Sequence, residues 1–223
     1  KAYDIRGLYP QELNEEVAYK IAQAYCKLFS PKTVALGRDV RNSGLSLWRS
    51  AAKGFTDHGV SVIDIGVITT DMLYYAVAAL KVDGGITISA SHNPREYNGM
   101  KIMRSGAIAV SGDTGIYDIR DLVISGYLYK AAPPAGGAGI ISKKDIQKDY
   151  LKKCASFVDT EAIKNMRVVV NGMFGPVVQN VEALNLPIEL IKLNAEPDGS
   201  FPKGAPDPLL PENRTETIAS IKS

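Results

Sequence analysis

Ser91 is the residue of this chain best placed to do chemistry. The β-branched run Ile86, Thr87, Ile88 follows Gly84 and Gly85 and predicts a strand ending at about Ala90. Asn93-Pro94 then stops regular structure, because proline lacks an amide hydrogen and restricts the residue before it. In an open α/β sheet, a serine one residue past the carboxyl end of a strand lies where ligands bind. His92 and Asn93 adjoin it, and Arg95, Lys101 and Arg104 follow closely. Tyr97-Asn98-Gly99 predicts a second tight turn that returns the chain toward Lys101, so cations converge on a hydroxyl. Taken alone, Ser-x-Asn-Pro is also a common hydrogen-bonded turn, since these side chains bond their own backbone. Two other chemistries fail. Ser91 and His92 would point apart in an extended segment, making a poor nucleophile and base pair, and the other histidine, His58, falls at a predicted helix end. No glycine-rich Walker sequence is present to cradle a nucleotide.

The elements that must position Ser91 alternate between helix and strand. Residues 12–29 carry Val17, Ile21, Tyr25 and Leu28 at helical spacing, a stripe read as core packing. Short apolar runs at 33–36 and 60–65 predict buried strands, with a helix over 45–57 between them. Beyond the serine, 100–103 and 107–110 predict two strands joined at Arg104-Ser105-Gly106, their methionines filling core, followed by a helix over 115–125. Such alternation implies a largely parallel sheet covered by helices.

The proline and glycine density of 130–139 marks a linker. Residues 1–130 are therefore expected as one domain, 131–139 as the linker and 140–223 as part of a second. In that second part, 143–157 predicts a helix, 167–170 a strand, and Asn171-Gly172 through Pro176 a turn that starts another helix. The five prolines within 197–211 exclude a helix or central strand there.

Composition narrows the class. The 223 residues, 45% hydrophobic, can bury a core. A net charge of +2 with dispersed cations argues against nucleic acid. No run approaches the ~20 apolar residues needed to cross a bilayer, and the opening Lys1-Ala2-Tyr3-Asp4 is unlike a signal peptide. Cys26 and Cys154, far apart and without partner ligands, support neither a disulfide framework nor a zinc site, so a cytoplasmic location is expected.

Ser-Ala-Ser-His-Asn-Pro followed by Tyr-Asn-Gly-Met-Lys resembles the phosphoserine loop of the α-D-phosphohexomutases. The resemblance runs along nearly the whole chain. It takes in residues 2–7 (Ala-Tyr-Asp-Ile-Arg-Gly), 37–41 (Gly-Arg-Asp-Val-Arg), 82–85, Asn171-Gly172, 196–202 and 208–213, and it is nearest to the phosphomannomutase/phosphoglucomutase group. It implies three-layer α/β/α domains with a mixed, largely parallel sheet, one domain complete and much of a second. It also implies phosphoryl transfer between the 1 and 6 positions of a mannose or glucose phosphate through a phosphoserine and a bisphosphorylated sugar. Ser91 would be the carrier. Arg6 and Lys101 occupy the matching family positions as leading candidates for acid, base and electrostatic roles, with His92, Asn93 and Tyr3 orienting phosphate or substrate. Tyr3 could instead simply pack, and Arg38 and Arg41 could hold the fold through an Asp39 salt bridge rather than act on substrate.

By the same resemblance the complete enzyme uses Mg2+ and a bisphosphosugar activator such as glucose 1,6-bisphosphate. The family's Asp-Gly-Asp-x-Asp-Arg metal loop is absent from these residues. Ser91, through its phosphate, is then the one metal contributor that can be named, and the chain reads as an amino-terminal fragment, inactive without its missing carboxy-terminal domains. Ser89 for a usual threonine, Asp71-Met72 after Thr-Thr, Gly204 and Asp207 depart from the family pattern and weaken any statement of hexose preference. A noncatalytic phosphosugar-binding or assembly module is the alternative from another class. A phosphoglucosamine mutase is the alternative within the family, although it would more often carry aspartate at Tyr97.

Overall fold

Asn14 decides where the first helix starts. Its side chain accepts from the Val17 amide at 3.0 Å, so the helix α1 occupies Glu15–Phe29, while Glu12 and Leu13, expected inside it, form the preceding turn. Glu15 and Glu16 in the first turn and Lys27 in the last complement the helix dipole. Of the expected stripe, Ile21 and Tyr25 are buried and Val17 packs at its edge, but Leu28 faces solvent. Ala18 and Ala22 complete the inward face and let a second helix approach closely.

The computed structural model describes residues 3–126, 137–164 and 166–222. They form two compact units, one of residues 3–90, 96–126 and 137–145, the other of 146–164 and 166–222 together with the loop 91–95. The first unit runs β1 (Ile5–Leu8), α1, β2 (Thr33–Arg38), α2 (Gly44–Thr56), β3 (Ser61–Val67), α3 (Thr70–Ala79), β4 (Gly84–Ile88), β5 (Tyr97–Arg104), β6 (Ile108–Ala109), α4 (Ile116–Ile124) and β7 (Ile141–Lys143). Its mixed sheet has the order β1-β5-β4-β2-β3-β7, with β6 on β5. The run β4-β2-β3-β7 is parallel, and β1, β5 and β6 pair antiparallel.

The central strands β2 and β4 are buried on both faces, which builds the layers. Val34 and Leu36 join one core cluster with α1, α2, α4, Ile86, Ile88, Met100 and Ile102. On the opposite face α3 packs so closely on β4 that a Cβ at Gly85 would lie 2.9 Å from Leu73 Cδ1. Three layers, helix on sheet on helix, follow. Met100 and Met103 are fully buried core residues, as expected.

Two local expectations change. Tyr97-Asn98-Gly99 is not a tight turn but the start of β5, because Leu8, Gly7 and Arg6 of β1 offer an antiparallel partner for each of them. The helix expected over 143–157 occupies Gln147–Ala155, here α5, since Ile141–Lys143 instead pairs with the exposed edge of β3. The first unit accordingly extends to Asp145. The expected linker lies mostly outside the described residues; Gly139, inside them, bonds the Thr56 carbonyl.

The second unit continues with β8 (Arg167–Asn171), α6 (Val177–Ala183), β9 (Glu189–Leu193) and α7 (Pro211–Lys222). β8 and β9 pair in parallel, and the proline-rich segment between β9 and α7 is irregular, as expected. No helix among the described residues is long and apolar enough to cross a membrane.

Candidate active site

β4 is buried along its whole length and hands the chain directly to the serine loop. Both feet of that loop are tied to the turn after β2. The Asp39 amide bonds the Ile88 carbonyl at 2.9 Å, and the Ser89 hydroxyl donates to the Asp39 carboxylate. Across the hairpin, Arg41 donates to the Tyr97 carbonyl at 3.0 Å while its Nε reaches Asp39 Oδ2 at 3.1 Å. The Asp39–Arg41 pair, with an Arg41 side chain 0% exposed, is thus a clasp beneath the loop. Burial pushes the Asp39 carboxyl up, partly offset by the Arg41 amide, the Arg41 charge and Ser89. Of the Asp39 salt bridge expected for Arg38 and Arg41, Arg41 forms it, while Arg38 donates instead to the Asp39 backbone carbonyl at 3.2 Å. Asn98, fully buried, stiffens the second foot by donating to Ser43 Oγ at 2.8 Å and accepting from the Gly99 amide.

Ser91 is solvent-exposed and has φ 58°, a left-handed conformation that costs a non-glycine residue roughly 1–2 kcal/mol. Eight other described non-glycine residues share this region, so the conformation shapes the turn without by itself assigning it a role. The left-handed bend also alters the expectation for His92. The segment is not extended, and Ser91 Oγ and His92 Nδ1 lie 3.4 Å apart. That is longer than the ~2.6–3.2 Å of a working nucleophile and base.

The hairpin sorts the cations. Lys101 lies opposite Thr87, one residue from the end of β4, whereas Arg104 lies opposite Gly84 at the far end of the β4–β5 pair. Antiparallel pairing reverses the chain, so closeness in sequence becomes distance along the strand. Arg6 comes from β1, opposite Gly99. A Cβ at position 99 would stand 3.2 Å from Arg6 Cγ and 2.5 Å from the Ile5 carbonyl oxygen; the glycine is what lets Arg6 lie over β5.

Arg6 and Lys101 meet at Asp4, a residue to which sequence reasoning assigned no role. Asp4 Oδ2 accepts from Arg6 Nε at 2.9 Å and Nη2 at 2.8 Å, and from Lys101 Nζ at 3.2 Å. Burial raises the Asp4 carboxyl, but hydrogen bonds and charge from Arg6, then from Lys101, outweigh it and hold it below its ordinary value. The signal was the Asp-x-Arg spacing at the entry to β1, two residues apart and close enough for the side chains to pair. Asn93 is half-buried in the serine loop, and Tyr3 is 77% exposed, so Tyr3 does not pack into the core.

No group of three or more His, Cys, Asp or Glu side chains among the described residues is arranged to hold a metal ion. The carboxylate nearest the cations, Asp4, is already engaged by both of them. The described residues do not by themselves fit a magnesium site.

The first unit is a three-layer α/β/α sheet domain whose buried strand β4 runs directly into the Ser91 loop, at the kind of strand end where open α/β sheets bind ligands. The chain belongs to the phosphoglucomutase/phosphomannomutase family: residues 1–125 match its alpha/beta/alpha domain I and residues 148–223 its alpha/beta/alpha domain II. It is 45% identical over 226 residues to a phosphomannomutase of Salmonella typhimurium, covering 99% of this chain and 50% of that protein. It is 40% identical to phosphohexose mutases of Xanthomonas campestris, covering 100% of this chain and 49% of theirs. A crystal structure of a phosphoglucomutase/phosphomannomutase family protein from Burkholderia thailandensis superposes with a TM-score of 0.85 at 31% identity, over 100% of this chain and 49% of that one. The chain spans about half the length of the curated relatives it matches.

Proposed function

We propose that this chain is the phosphoserine-bearing part of a phosphohexomutase acting on mannose or glucose phosphates. The observation that carries the reading is Ser91, held exposed and left-handed on a loop clasped at both feet, within a sequence run that resembles the family's phosphoserine loop. In the forward half-reaction a hydroxyl of the sugar monophosphate attacks the phosphorus on Ser91. A new sugar O–P bond forms, the Oγ–P bond breaks, the hydroxyl proton passes to a base, and Ser91 Oγ takes up a proton. The bisphosphorylated sugar then turns and returns its other phosphate to Ser91. A phosphoserine carries about −1.5 to −2 charge at neutral pH, so the resting ester and the loose transition state both call for cations.

Arg6 and Lys101 are assigned that electrostatic and acid/base work. His92, Asn93 and Tyr3 are assigned to orienting phosphate and substrate. Mg2+ and a bisphosphosugar activator such as glucose 1,6-bisphosphate belong to this reading for the longer protein, and the Ser91 phosphate is the metal ligand this chain would contribute. The chain by itself is assigned negligible turnover, since the Asp-Gly-Asp-x-Asp-Arg loop is not in it.

Peptide-resolved mass spectrometry of the full-length protein tests the reading. Phosphate should appear on Ser91 after incubation with glucose 1,6-bisphosphate and magnesium and leave on adding hexose monophosphate, and Ser91→Ala should lose interconversion of glucose 1- and 6-phosphates. A folded protein whose Ser91 stays unmodified, or an active Ser91→Ala variant, sinks the mechanism and favours a phosphosugar-binding module.

A further inference from the structure

Arg6 and Lys101 reach Asp4 Oδ2 from two different strands, and their nitrogens are consequently held within ~6 Å of each other despite like charge. Asp4 precedes β1, and the β1–β5 register, Ile5 with Met100 and Arg6 with Gly99, places it across from Lys101. Its side chain is 6% exposed, Arg6 is 10% exposed and Lys101 25% exposed, so the acid lies beneath and the lysine ammonium remains the most accessible of the three. A carboxylate that merely anchored a strand would need one partner. This one gathers both cations assigned to the chemistry and sits in neither the serine loop nor the clasp.

We propose that Asp4 is the positioning residue of the phosphoryl-transfer site, holding Arg6 and Lys101 as one preorganised cationic pair. Preorganisation is where such a site gains its rate: cations fixed before the charge develops need not reorganise during transfer. Without Asp4 the pair repels, and each long side chain regains its rotamers. The ground-state complex is then held by its remaining contacts, while the transition state loses aligned charge. The effect falls on kcat more than on KM.

This inference rests on the phosphohexomutase reading, and the experiment separates the two. In the full-length protein, Asp4→Asn, Asp4→Glu and Ser91→Ala are assayed together for conversion of glucose 1-phosphate, with folding followed by tryptophan emission. Asp4→Asn is expected to lower kcat by ~10- to 100-fold with KM within about threefold, and Asp4→Glu, which restores the charge, to recover most of the loss. A purely structural role would lower the folding midpoint without this kcat-against-KM split. If Ser91→Ala turns over, the phosphoserine reading fails whatever Asp4 does. If Ser91→Ala is inactive and Asp4→Asn keeps its kcat, the positioning role alone is overturned. Where Asp4→Asn does not fold, Asp4→Glu decides: kcat within about fivefold of the unaltered protein supports the role, and a hundredfold loss in a folded protein overturns it.

Discussion

Arg41→Met tests the clasp beneath the serine loop. The substitution keeps much of the stem volume but deletes the donors to Asp39 Oδ2 at 3.1 Å and to the Tyr97 carbonyl at 3.0 Å. Asp39 is left with the Arg41 amide at 2.9 Å and the Ser89 hydroxyl as its partners. Removing one member of a buried ion pair costs ~3–5 kcal/mol. Asp39 is 15% exposed and its carboxyl is already pushed up, so it can take a proton and relieve part of the cost. The expectation is therefore ~3 kcal/mol at neutral pH, at the low end of that range. Trp48 is the chain's one tryptophan, and its Nε1 donates to the Leu36 carbonyl of β2 at 3.1 Å, so its emission follows unfolding of the first unit. With a urea slope of ~2 kcal/mol/M, the midpoint should fall by ~1.5 M. The deficit should shrink as pH drops toward ~5, because an unpaired buried carboxylate has a raised folded pKa and its penalty vanishes once protonated. The double variant Asp39→Asn/Arg41→Met should be more stable than Arg41→Met, since no charge is left uncompensated. A midpoint unmoved within ~0.3 M, or a double variant less stable than the single, refutes the reasoning.

Gly99→Ala should lower the same Trp48 midpoint by ~1 M of urea, or ~2 kcal/mol, because its methyl must displace the Ile5 and Ser89 carbonyl oxygens that would lie 2.5 and 2.7 Å away. An unchanged midpoint would show that β1 yields without cost. The two thiols should differ in reactivity: Cys26 is 8% exposed and burial pushes it up to about 12, while Cys154 is only partly buried. Iodoacetamide at pH 8 should therefore label Cys154 at least ~10-fold faster, read by peptide mass, and equal rates would show that α1 opens readily. The raised Cys26 pKa also sets a sign. The folded chain keeps a proton that the unfolded chain releases above pH ~9, so this residue's contribution makes stability fall as pH rises past that point, and Cys26→Ala should flatten the decline.

The legible parts of the fold were those with a strong local period or a local stop. α2, β2, β3 and α4 lie within a few residues of their expected spans because their apolar spacing has no competitor. β1, α3, β9 and α7 had no such reading. β1 is four residues long and exists through its partner β5, and α7 buries none of its residues, so its pattern carries no inward face. Asn14 shows the same limit at finer scale: the apolar stripe alone extended α1 back to Glu12, and the cap side chain ended it at Glu15.

Residue types by themselves determined that Ser91 would leave a strand into a turn, that Asn93-Pro94 would stop the sheet there, and that Asp39 could pair with Arg41. These are local matters of dihedral preference, missing donors and charges two residues apart. Only the tertiary structure decided which cations count. Strand reversal set Arg104 at the start of β4 and Lys101 near its end, the β1–β5 register brought Arg6 over Gly99, and Asp4, just before β1, joined Arg6 and Lys101. Position along an antiparallel pair depends on register, a property of two strands together that neither strand's own sequence contains.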